Sequence, residues 1–80
     1  MSTVRTRLPR DLATILAEVL HNRARQLEQH AEVLACAARA KATHGRVVEA
    51  DQLSNAARKH RVTSIKLRAL ATATQHREWR

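Results

Sequence analysis

Glycine and proline are almost absent from this chain of 80 residues, which contains one of each, Gly45 and Pro9. β-Hairpins, β-sandwiches and glycine-rich nucleotide loops all depend on several such residues at their turns. These folds are therefore excluded. The chain is predicted to be all-α, with a long N-terminal helix followed by a turn at Gly45.

The first helix is predicted to begin near Pro9. Proline suits the first turn of a helix, because its missing N–H group would have no partner there. Residues 1–8 are polar and basic and lack a periodic pattern, so we expect a flexible arm in which Arg5 and Arg7 make secondary contacts with nucleic acid. Residues 9–80 are predicted to form a single helical domain.

Alanine and leucine alternate along the first helix at steps of three and four residues. This heptad pattern places both residue types on one face, where small alanine side chains let a facing helix approach closely. The facing helix is expected to be antiparallel. The residues of the pattern are Ala17, Leu20, Ala24, Leu27, Ala31, Leu34 and Ala38.

Assembly into a homodimer is expected from the same pattern. The chain has 17 leucine, valine and isoleucine residues and neither phenylalanine nor tyrosine, which is little apolar volume for an independent fold. A seam about 50 Å long also exceeds what a short second half can cover. Leu20, Leu27 and Leu34 are therefore predicted to lie at or near the packing or dimer interface.

The formal net charge of +8 is distributed unevenly. Residues 1–10 carry +3, residues 11–44 are neutral, and residues 45–80 carry +5. Such unbalanced positive charge attracts polyanions, so nucleic acid is the expected partner, duplex DNA before RNA, with an acidic protein as the alternative. The densest cluster is Arg58, Lys59, Arg61, Lys66 and Arg68, which no carboxylate interrupts.

Residues 53–70 resemble a helix-turn-helix DNA-binding segment. The matching residues are Ala57 at the helix crossing, Val62 in the turn, Thr63 at the cap, and Leu67 and Leu70 on the inward face. The resemblance implies that Ser64, Lys66 and Arg68 lie on the outer side near DNA and approach base edges. Arg58, Lys59 and Arg61 are expected to contact phosphates.

Two architectures are open for residues 46–76. In the first, which we favour, the helix breaks near Arg61 into two shorter helices, because residues 62–64 favour helix weakly. In the second, the lack of glycine and proline after Gly45 allows one continuous helix, which forms a helical hairpin with the first and assembles into a bundle.

The sequence predicts a small basic DNA-binding regulator of transcription, of bacterial, phage or plasmid type. The alternative is a helical-hairpin interaction module or inhibitor that dimerises or docks on an acidic partner. No catalytic constellation or ligand cluster is found in the sequence, so no enzymatic activity, cofactor or metal is expected. The single cysteine, Cys36, and the lack of a long apolar run predict a cytoplasmic protein without a membrane partner.

Overall fold

In a computed structural model, the chain forms two long antiparallel helices joined by a short turn. The structure describes the backbone of residues 2–78 and the side chains of residues 12–75. Helix α1 spans Ser2–Thr43 and helix α2 spans Val47–Glu78, and the described backbone contains no β-strand. The prediction of an all-α fold with a turn at Gly45 is confirmed.

The turn is a Schellman motif with Gly45 in the left-handed position. Gly45 has a φ of 75°, which residues with a side chain rarely adopt. Its N–H donates to the Ala42 carbonyl at 3.0 Å, and the Arg46 N–H donates to the Lys41 carbonyl at 2.9 Å. The Arg46 carbonyl accepts the first hydrogen bond of α2, from the Ala50 N–H at 2.9 Å. These bonds satisfy groups that a helix end otherwise leaves unpaired.

Two ion pairs also form at the turn. Glu49 lies in the first turn of α2, where a negative charge complements the positive end of the helix dipole. Its two carboxylate oxygens lie 3.2 Å from Lys41 Nζ and 3.1 Å from Arg46 Nε. Both pairs are exposed, so they orient the turn more than they stabilise it.

The two helices meet along two rows of small residues spaced seven residues apart, which we call the alanine seam. Its members are between 0% and 7% exposed, and their small side chains let the helices approach closely. Because the helices are antiparallel, Ala38 lies beside Ala50 near the turn, and Ala17 lies beside Ala71 at the opposite, open end. The seam consists of Ala17, Ala24, Ala31 and Ala38 on α1 and Ala50, Ala57, Ser64 and Ala71 on α2.

The leucines of the predicted pattern lie beside the alanine seam. Leu27 is buried, whereas Leu20 and Leu34 are half-buried. Among the described side chains, no large one is fully buried. The core is therefore built from small residues, and the leucines are covered only where they border the seam.

Helix α2 continues without interruption through the predicted break. Residues 47–78 form one helix, and among the described residues only Gly45 has a positive φ. The favoured prediction of two shorter helices separated near Arg61 is therefore wrong, and the alternative of a helical hairpin is confirmed. The turn that a helix-turn-helix segment needs is not formed by residues 61–64.

Tertiary packing explains why the weak helix formers do not break α2. Their propensity deficit is about 0.5 kcal/mol per residue, whereas the seam row on α2 is buried only if the helix continues past residue 61. The two hydroxyls also find partners within the helix. Thr63 Oγ1 donates to the Lys59 carbonyl at 3.0 Å, and Ser64 Oγ donates to the Arg61 carbonyl at 2.8 Å. Neither hydroxyl therefore caps a new helix.

Candidate nucleic-acid interface

Four of the five clustered cations project from α2 into solvent. Within the part of the chain whose side chains are described, none of the four forms an ion pair. The chain has no carboxylate between Asp51 and Glu78, so the charge on this stretch of helix is uncompensated locally. These four exposed residues, which we call the basic surface, are Arg58, Lys59, Arg61 and Lys66.

Three of these cations share a shallow depression on α2. Arg58, Lys59 and Lys66 line it together with Val62, and its volume is about 530 Å³. Lys66 follows Lys59 by seven residues, or two helical turns, so both side chains lie on the same side of the helix. The three charges are spread over about 12 Å of helix. This spacing suits an extended polyanion better than a single small anion.

A second cationic group forms between the helices near the turn. Arg39 of α1 lines the same cleft as Arg58 and Arg61 of α2, with Asp51 also on its lining, and the cleft volume is about 370 Å³. Arg39 was not predicted from the sequence, because residues 11–44 are neutral overall. The sequence did contain one indication of this position. Arg39 follows Ala38, and the antiparallel hairpin places Ala38 level with the start of α2.

Arg68, the fifth cation of the cluster, is engaged by α1. Its Nε and Nη2 donate to the two carboxylate oxygens of Glu28, each at 2.8 Å, and its Nη1 lies 3.5 Å from His21 Nδ1. Each side chain leans toward the N-terminus of its own helix, so antiparallel helices bring the two together. The hydrogen bonds between them lower the pKa of Glu28 and raise the pKa of Arg68.

Ser64 is not on the surface. It is 2% exposed and occupies a seam position, level with Ala24. Its placement on the outer side of a recognition helix, which the helix-turn-helix resemblance implied, is therefore wrong. The small side chain is needed at this position because α1 approaches closely there.

The Glu28–Arg68 pair predicts how hairpin stability depends on pH. Because the pKa of Glu28 in the folded chain lies below its ordinary value of 4.5, the pair stabilises the hairpin fully above that value. The contribution is lost as the pH falls through the lowered pKa. In a double-mutant cycle of Glu28→Gln and Arg68→Gln, we expect a favourable coupling in the free energy of unfolding at pH 7 that vanishes in strong acid. Both side chains are partly exposed, so the coupling is small.

Urea unfolding followed by circular dichroism at a series of pH values measures this coupling. The cycle serves as its own control, because each single variant reports effects other than the pair itself. A coupling of equal size at pH 7 and in strong acid would contradict the assigned role of the carboxylate.

One broad face of the hairpin, opposite the Glu28–Arg68 pair, is apolar. His30 of α1 and His60 of α2 both lie on this face, with ring centroids 5.9 Å apart. The row of half-buried leucines on α1 lies here at heptad spacing and is matched by a row on α2. We call this surface the apolar face, and its leucines are Leu16, Leu20, Leu34, Leu53, Leu67 and Leu70.

Other predicted features lie apart from these two surfaces. Arg5 and Arg7 lie outside the side chains that the structure describes, so their contacts stay a prediction. The described side chains contain no group of three or more histidine, cysteine, aspartate or glutamate residues able to hold a metal ion. Cys36 is exposed. Neither helix, over its described residues, has the length and hydropathy needed to cross a bilayer.

No protein-family model, curated protein or solved structure matches this chain.

Proposed function

We propose that the hairpin binds nucleic acid through the phosphate backbone, with duplex DNA as the ligand and the basic surface of α2 as the contact. One observation carries this proposal. Arg58, Lys59, Arg61 and Lys66 are exposed within nine residues of one uninterrupted helix, and no described carboxylate pairs with them. Like charges held this close repel one another, and a polyanion relieves that repulsion while it releases counterions.

The dimensions of the basic surface suit a polynucleotide strand. The charges from residue 58 to residue 66 cover about 12 Å of helix, a length over which one DNA strand presents about three to four phosphates. Arg39 extends the same positive surface from α1 across the cleft that it shares with Arg58 and Arg61. Both helices thus contribute to the proposed contact.

Contacts to phosphates are favoured over contacts to base edges. Of the three residues that the helix-turn-helix resemblance assigned to bases, Ser64 is buried in the seam and Arg68 is paired with Glu28. Lys66 alone remains free, and a single lysine reads little sequence. We therefore expect binding that depends weakly on sequence and strongly on salt. The protein would then regulate transcription by occupying the DNA.

The salt dependence of binding tests the proposal. If about four phosphates are neutralised, the logarithm of the binding constant for duplex DNA should fall with the logarithm of salt concentration with a slope of about −3.6. Arg58→Ala combined with Lys66→Ala should make this slope shallower by about 1.8. Affinity should fall by about tenfold per lost contact at 0.1 M salt, for all sequences alike. Fluorescence anisotropy with labelled duplexes measures both quantities.

The matched control removes the same charge from α1. Arg23→Ala combined with Arg25→Ala also lowers the net charge by two, but these residues are exposed on the other helix and line neither of the two depressions that the basic surface borders. The control should reduce affinity much less. Circular dichroism verifies that both variants keep their helices.

Two results would contradict the proposal. One is the absence of binding to duplex DNA at low salt, and the other is an equal loss of affinity in the variant and its control. Stronger binding to single-stranded RNA than to duplex DNA would identify RNA as the ligand. Displacement of DNA by polyglutamate at equal charge concentration would favour the alternative, a module that docks on an acidic protein.

A further inference from the structure

We propose that a second copy of this chain covers the apolar face, so that two hairpins form a four-helix bundle. This inference goes beyond nucleic-acid binding and is independent of it. It is based on the size of the core, on the area of the face, and on the rows of leucines along it.

The hairpin alone lacks a full core. Its interior consists of the alanine seam with Leu27, and among the described residues no large side chain is fully buried. Leu20, Leu34, Leu53 and Leu67 form rows beside the seam that are only half covered. A single layer of two helices has no second layer to cover these rows, and stable domains consist of at least two layers.

The apolar face is large enough for a stable interface. The hairpin measures 66 × 16 × 11 Å, and the apolar face is one of its two broad sides. This side has a footprint of roughly 1,000 Å², against about 800 Å² that each partner buries in a specific protein interface. A second hairpin has the same length and the same rows of leucines, so it matches the face over its whole extent.

Exposed leucines extend the apolar face toward the open end. Leu16 and Leu70 are exposed there, with Leu12 and Val19 at the edge beside them. Charged side chains border these rows, since Arg23 continues the heptad row of Leu16 and His30, and Lys41, which pairs with Glu49, continues the row of Leu34. A second copy would therefore bury leucines at the centre of the interface and leave charges at its rim.

Sedimentation velocity on the full chain tests the dimer. Leu70→Glu introduces a charge on the apolar face, and Ile65→Glu introduces the same charge elsewhere on α2. The two residues are 53% and 66% exposed in the hairpin, so neither change empties a buried position of the single chain. We expect a dimer at micromolar concentrations, with a dissociation constant raised about a hundredfold or more by Leu70→Glu. Ile65→Glu should change it little.

A folded monomer at tens of micromolar would overturn the dimer, as would equal dissociation by Leu70→Glu and Ile65→Glu. Circular dichroism of both variants separates loss of association from loss of helix. DNA binding is measured independently, so failure of the dimer leaves the proposed function testable.

Discussion

Ala57→Leu is expected to lower the free energy of unfolding by about 3 kcal/mol, a large effect for a change that adds apolar volume. Ala57 is buried in the alanine seam, where Ala31 of the other helix lies beside it. A leucine there has no room unless the helices separate, and two straight helices cannot separate at one position without loosening contacts along the seam. Thermal and urea unfolding, followed by circular dichroism at a fixed protein concentration, measure the loss.

The matched control is Ala69→Leu on the same helix. Ala69 is exposed, so the same substitution there meets solvent, and leucine and alanine have similar helix propensities. We expect a change of about 0.5 kcal/mol or less. Equal destabilisation by the two variants would mean that the seam is not the tight contact between the helices.

Val62→Pro is expected to destabilise the hairpin by about 3 kcal/mol or more, because Val62 lies in the interior of α2. In a continuous helix its N–H bonds the Arg58 carbonyl, and a proline ring both removes this bond and collides with that carbonyl. If the chain turned at residues 61–64 instead, no helical hydrogen bond of Val62 would be lost. The variant therefore separates the two architectures that the sequence left open.

Val47→Pro is the control for this substitution. Arg46 provides the first carbonyl of α2, so Val47 is the first helical residue, where proline is well tolerated. Val47 and Val62 are 62% and 45% exposed, so the loss of side-chain packing is limited at both positions. We expect near-normal stability for Val47→Pro by urea unfolding. Tolerance of proline at both positions would contradict a continuous α2.

Much of the fold follows from local chemistry and could be predicted from the sequence. Gly45 is the one residue that adopts a left-handed conformation without strain, and it lies where the two helices join. The alternation of alanine and leucine on α1 predicted a close antiparallel neighbour, and α2 is that neighbour. These features depend on residues close together in the chain.

The course of α2 was mispredicted because local propensity was given too much weight. Residues 50, 57, 64 and 71 are small and repeat at the same seven-residue spacing as the alanines of α1. Comparison of the two rows would have revealed the continuous helix. The inward series that the helix-turn-helix resemblance implies instead includes Leu70, which is exposed. Burial of a whole row outweighs a few weak helix formers.

The candidate site was only partly predictable, for a related reason. The sequence shows which side chains carry charge. Charged side chains without a partner are mostly exposed, as Arg58, Lys59 and Lys66 are. The sequence does not show which charges are neutralised. Arg68 is paired with Glu28, which lies 40 residues away in the chain.

Tertiary structure decided these remaining points because all of them depend on the register of two antiparallel helices. The register places Ser64 in the seam, brings Arg68 within reach of Glu28, and adds Arg39 to the cleft of α2 arginines. Net charge and periodicity along one helix contain no information about what lies level on the other. That information appears only when the small residues of both helices are matched along the seam.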